Sequence, residues 1–137
     1  MTRVALIFLM MSVSVSAHAA KVAWGHNSSG AEFCYPADDN GRVLSGALPV
    51  NDYYCGVSYR FGRASDNYSY CFPARNDGNI LRGRQPASSV HLCAKGYKWG
   101  RTDSQSPDRV ACFPTDADGK IPPRIDAVPS SYCLNVN

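Results

Sequence analysis

Glutamate is nearly missing from this chain: Glu32 is the only one, and lysine is confined to Lys21, Lys95, Lys98 and Lys120. These residues normally coat long solvent-facing helices, so their scarcity argues against a helical architecture. Beyond residue 20, no apolar stretch approaches the roughly 20 residues that a membrane-spanning helix needs, so no stable membrane insertion is expected. Histidine is scarce as well, and no two cysteines form a CxxC pair, which removes the usual zinc patterns. There is no Gly-x-Ser-x-Gly elbow, and neither His26 nor His91 has a persuasive catalytic partner, so an enzyme is not expected. A formal net charge of +3, without a clustered basic stripe, is too weak a field for nucleic acid.

What is present begins with a leader. Arg3 supplies a positive start, Val4 to Val15 is an apolar run broken only by serines, and Ala17-His18-Ala19 has the small-x-small cleavage pattern. Residues 1–19 therefore read as a signal peptide and residues 20–137 as a single domain, secreted or periplasmic. All six cysteines lie in that domain: Cys34, Cys55, Cys71, Cys93, Cys112 and Cys133. An even count in a short exported chain implies disulfides.

The mature part repeats three times. Cys34-Tyr35-Pro36, Cys71-Phe72-Pro73 and Cys112-Phe113-Pro114 are each followed, seven residues after the cysteine, by Gly41, Gly78 or Gly119. The second cysteine falls 21 or 22 residues after the first, and Pro49, Pro86 or Pro129 precedes it. Upstream stands an aromatic-Gly-basic triplet: Trp24-Gly25-His26, Phe61-Gly62-Arg63 and Trp99-Gly100-Arg101. The units are residues 21–55, 56–93 and 94–133. The third has the longest approach, Thr102 to Arg109, and runs Pro122-Pro123 where the others have Leu44-Ser45 and Leu81-Arg82.

Each unit reads as strand, turn, strand. Glu32 to Tyr35 and Tyr68 to Phe72 are aromatic-rich runs, and Asp39-Asn40-Gly41 and Asn76-Asp77-Gly78 carry hairpin chemistry. Arg42 to Leu44 and Asn79 to Leu81 then restart as strands. The fold expected is all-β: three tandem disulfide-stapled units of about 38 residues in a pseudo-threefold, trefoil-like arrangement or a stack, since units that short need neighbours or staples. The simplest disulfide set is within units. The other regular set joins Cys55 to Cys71 and Cys93 to Cys112, leaving Cys34 for Cys133.

The stretch Tyr70 to Gly100 reads aromatic-Cys-aromatic, Ala74-Arg75, Asp77-Gly78-Asn79-Ile80, Gly83-Arg84, Pro86, Cys93 and an aromatic-Gly close. It resembles the natterin-like lectin repeat, a β-rich family in which some members bind mannose-type sugars. In place of the family's lysine stand Ala47 and Arg84, and in place of its glutamate Arg63 and Arg101.

The triplets are the sharpest candidate site. Trp24, Phe61 and Trp99 can stack on sugar rings while His26, Arg63 and Arg101 bond hydroxyls or acidic substituents. The alternative is that the aromatics pack inside and the glycines make turns. Asp38, Asp39 and Asn40, or Asp116 and Asp118, invite a calcium reading, but no glutamate follows to close such a loop, so ordinary turns are expected. No metal or cofactor is expected. Asn27-Ser28-Ser29 and Asn67-Tyr68-Ser69 have the N-glycosylation pattern. The function expected is a lectin-like module whose partner is a glycan or a cell-surface or envelope component. The rival is a protein-binding module, such as a hydrolase inhibitor or a toxin-type factor.

Overall fold

The structure is a computed structural model that describes residues 21–102 and 109–135. The expected signal peptide and most of the Thr102 to Arg109 approach lie outside the described residues.

Among the described residues the chain forms three antiparallel hairpins: β1 (Lys21–His26) with β2 (Glu32–Ala37), β3 (Ser58–Arg63) with β4 (Ser69–Ala74), and β5 (Gly96–Arg101) with β6 (Val110–Thr115). Their registers are the same. Trp24 lies opposite Cys34, Phe61 opposite Cys71 and Trp99 opposite Cys112. The described helical segments are single turns: 3-10 turns at Asp52–Cys55 and Val90–Leu92, and α1 (Ser131–Leu134). None is long and apolar enough to cross a membrane. The regular structure of the described residues is mostly strand.

Local chemistry explains the hairpin bends. Asn27 Oδ1 accepts from the backbone N–H groups of Ser29 and Ala31, and Gly30 takes a left-handed φ of 83°. In unit 2, Asp66 Oδ1 accepts from the Tyr68 N–H, and Asn67 takes the left-handed position at φ 69°. Asparagine tolerates that conformation better than most side chains.

One expectation is corrected. The strand pairing with the cysteine strand comes before it, not after the Asp/Asn-Gly turn. Downstream of the turn, Val43 and Ile80 form only isolated bridges to Ala37 and Ala74. The reason lies a few residues on, where Gly46 and Gly83 adopt left-handed φ of 72° and 69° and end the extended run. The turns themselves form as read. Asp38 Oδ1 accepts from the N–H groups of Asn40 and Arg42, and Asp116 Oδ1 from those of Asp118 and Lys120. Those oxygens serve the backbone of an Asx turn.

The disulfides are Cys34–Cys55, Cys71–Cys93 and Cys112–Cys133, all within units. Around each, the chain returns to the hairpin: Val50, Ala87 and Val128 donate their N–H groups to the carbonyls of Cys34, Cys71 and Cys112. Those three cysteines are among the most buried residues, with Tyr35, Leu81 and Phe113 also buried. Each unit thus has a cystine for its core.

Neighbouring units join head to tail through similar contacts, with the accepting carbonyl one position further along the loop in unit 3 than in unit 2. The loop after the turn of one unit meets the first residue of the cysteine strand of the unit before it. Glu32 donates its N–H to the Arg82 carbonyl, and Ser69 donates its N–H to the Arg124 carbonyl. At the first junction, Arg75 forks onto Glu32 Oε2 through Nε and Nη2, at 2.9 and 2.5 Å. Arg84 bonds Asp52 at 2.7 Å and the Glu32 carbonyl at 3.1 Å, with its guanidinium 4.2 Å above the Phe33 ring. At the second, Ser69 Oγ donates to the Pro123 carbonyl. Among the described residues, no hydrogen bond or ion pair links unit 1 to unit 3.

Two outcomes follow. Each staple closes a loop of about twenty residues, worth roughly 3 kcal/mol through the unfolded chain; reduction and alkylation should therefore abolish cooperative unfolding, and a retained near-ultraviolet signal and melting point would contradict the cystine core. Arg84→Lys keeps the charge but loses the planar fork and the ring contact. It should lower stability by about 1–2 kcal/mol in denaturant titration, and an unchanged midpoint would show that the junction does not depend on this side chain.

Candidate functional site

The repeated triplets lie in the upstream strands β1, β3 and β5, but they do not share an environment. Phe61 and Arg63 line a cleft of about 590 Å³ between units 2 and 3. Its other wall comes from unit 3 and includes Lys95, Asp116 and Asp118. Trp24 is half-buried and His26 exposed at the first junction, where His26 Nε2 stands 3.8 Å from Glu32 Oε1. Trp99 and Arg101 are exposed on the last hairpin. The second triplet, Phe61-Gly62-Arg63, lines this cleft.

In that cleft an aromatic ring lies among charges of both signs. Arg60 also lines it, but its Nη1 donates to the Gly78 carbonyl at 2.9 Å and pins the turn. Asp116 gives Oδ1 to its own turn, which leaves Oδ2, and the exposed Asp118 is a neighbouring acceptor. Such a set can take hydroxyls on the carboxylates, an acidic substituent on Arg63 or Lys95, and an apolar ring face on Phe61. Sequence reading had missed Lys95 altogether and had met Asp116 and Asp118 only as turn residues. Nothing local marks them, since they reach the cleft by the docking of unit 3.

A second cleft, of about 500 Å³, lies at the first junction and includes Phe33, Asp52, Tyr59, Arg84 and Leu92. Its charged groups are already paired, Arg84 with Asp52. It is a structural seam.

Two further tyrosine contacts lie outside the cleft lining. His91 of unit 2 stacks on Tyr132 of unit 3 with ring centroids 4.3 Å apart, and its Nδ1 is 2.7 Å from the Tyr97 hydroxyl. Burial, with the charge of Tyr132 second, pushes the Tyr97 hydroxyl above the ordinary phenol range, so it stays protonated and available to that bond. Tyr70 donates to Asp66 Oδ2 at 2.6 Å, which holds the Asp66 carboxyl below the usual carboxylate range and raises Tyr70.

The triplet glycines do not make turns, and none of Gly25, Gly62 and Gly100 has a left-handed φ. They are glycines because something lies on them. A Cβ at Gly25 would stand 2.9 Å from Val43 Cγ2 and 3.0 Å from the Tyr35 ring. At Gly62 it would meet Ile80 Cδ1 at 2.5 Å and Phe72 at 3.1 Å, and at Gly100 Ile121 Cδ1 at 2.7 Å and Phe113 at 3.1 Å. The aromatic that follows each first cysteine lies diagonally across the hairpin and covers the bare backbone of the glycine.

Gly62→Ala should therefore destabilise by overpacking, by about 1–3 kcal/mol. Adding Ile80→Val, which removes the offending Cδ1, should recover part of that loss. Equal stability of the single and double variants in denaturant titration would point to a backbone cause instead. Compared with known proteins, the chain matches no protein-family model, no curated protein and no solved structure.

Proposed function

We propose that the protein is a secreted or periplasmic, non-catalytic carbohydrate-binding module of the natterin-like lectin type. Its three units stack in line, 1–2–3, and its glycan belongs to a cell surface or envelope. The observation that carries this reading is the cleft between units 2 and 3, which puts Phe61 and Arg63 opposite Lys95, Asp116 and Asp118. Three cystines support an oxidising compartment. The in-line stack rests on two like junctions joining successive units. On this reading the site is formed by two units together, so the repeat builds the cleft instead of carrying three copies of a site.

The protein-binding alternative has one observation of its own. Tyr53 and Tyr54 are both well exposed beside the first disulfide, in edge contact with ring centroids 6.1 Å apart. Exposed tyrosines of this kind are common at the centres of protein interfaces. The Thr102 to Arg109 loop, which would favour an inhibitor if exposed and divergent, lies mostly outside the described residues.

A glycan array followed by calorimetry on the strongest hits separates the two. Arg63→Ala should weaken glycan binding several-fold at unchanged thermal stability, because an exposed arginine contributes little to folding. Arg101→Ala, outside the cleft, should leave the affinity within error. Undiminished binding by the Arg63 variant, or no glycan bound at all, would overturn the cleft reading, and loss of a captured protein partner on Tyr53→Ala or Tyr54→Ala would favour the alternative.

A further inference from the structure

A head-to-tail repeat with two like junctions leaves half of a junction at each end. The docking half is the loop after the turn, and the receiving half is the start of the cysteine strand. Positions that correspond in the repeat show what docking does. In the docking loop, Leu81 is 1% exposed and Pro122 is buried, while Leu44 of unit 1 is 47% exposed. On the receiving side, Glu32 and Ser69 are 8% and 7% exposed, while Val110 of unit 3 is 58% exposed. Trp99 beside it is exposed, whereas Trp24 and Phe61 are half-buried.

Among the described residues, the two exposed halves match the buried ones in backbone conformation and register. Gly46 holds φ 72°, against 69° for Gly83 and 50° for Arg124 at the corresponding positions of units 2 and 3, so the first loop already has the docking conformation. A Cβ on Gly83 would strike Ala31 of the preceding unit at 2.9 Å, whereas nothing lies within 4 Å of Gly46. Val110 is paired with Arg101 in the register that pairs Glu32 with His26 and Ser69 with Arg63. Its N–H therefore points away from the hairpin, as do those of Glu32 and Ser69, which reach the next unit's carbonyl.

Charge agrees as well. At the second junction Arg63, paired with Ser69 of the receiving strand, shares a cleft with Asp116 and Asp118 on the docking unit's turn. The exposed ends carry the same signs at two corresponding places, Arg101 for Arg63 and Asp38 for Asp116, while Asn40 stands where unit 3 has Asp118.

We infer that the partner for these ends is a second copy of this chain, with Leu44–Leu48 of one molecule docking on Trp99, Arg101 and Val110 of the next. The contact continues the internal junction across molecules. It joins two different surfaces, so it propagates in a line instead of closing as a twofold dimer. Opposite charges at the rim make it weaken as salt rises. The inference is independent of what the cleft binds, although a line of molecules would multiply any weak site through avidity.

Sedimentation velocity on the oxidised mature chain, run from micromolar to millimolar concentration at low and high salt, tests it. The weight-average mass should climb with concentration without a plateau at dimer, and should fall in high salt. Leu44→Asp blocks the docking end and Val110→Asp the receiving end; both sites are exposed, and far-ultraviolet circular dichroism checks that each variant folds. Each variant alone should remain monomeric, and an equimolar mixture should form a dimer and stop there, because only one good end remains on each molecule. A wild-type protein that stays monomeric throughout, or that stops at dimer, overturns the inference. So does a mixture that stays monomeric, or growth that both variants leave unchanged.

Discussion

Every unit depends on a cystine at the centre of its hairpin. Cys34, Cys71 and Cys112 sit mid-strand opposite an aromatic residue, almost fully buried, and each is tied to a turn about twenty residues further on. A two-stranded hairpin is marginal by itself in water. The staple supplies what the small apolar core cannot, by holding the return segment where Val50, Ala87 and Val128 bond the cysteine carbonyl. The Asx turn, the left-handed glycine and the aromatic lid over the triplet glycine are all arranged about this fixed point.

Once the unit frame is fixed, the junctions can differ. The first is ionic, with Arg75 and Arg84 neutralising Glu32 and Asp52 in a partly buried seam. Glu32 needs that partner, because an unpaired carboxylate at such burial would be costly. The second is nearly uncharged at the same point, where Ser69 bonds a proline carbonyl, and elsewhere along it Tyr132 stacks on His91. Arginine and glutamate are consumed in the first seam. In the second, Arg63, Lys95, Asp116 and Asp118 are left around a cleft. Chemistry is therefore concentrated at one of two homologous places.

Parts of this arrangement are visible in the residues themselves. The repeat, the Asp/Asn-Gly turns and the strand character around Cys34, Cys71 and Cys112 depend on neighbours close in the chain, so spacing and turn chemistry reveal them. Lys21–His26, Ser58–Arg63 and Gly96–Arg101 were not recognised as strands, because a glycine in mid-run lowers strand propensity. Only the tertiary structure shows why it is there: Tyr35, Phe72 and Phe113 arrive from the opposite strand and take the space of its missing side chain.

By itself the sequence determined the unit length and which cysteines are available to staple it, leaving two regular pairings, and argued against long helices in the repeats, since one glutamate and frequent proline disfavour them. It separated core from site poorly, presenting three like triplets with no ranking among them. Tertiary structure decided that Phe61 and Arg63 face a cleft, that Trp24 and His26 lie at a seam, and that Trp99 and Arg101 sit on the last hairpin. The physical reason is that a side chain's surroundings at a junction are set by the next unit, dozens of residues away. Asp116 and Arg63 line one cleft through the docking of unit 3 on unit 2, where the Arg124 carbonyl accepts from the Ser69 N–H.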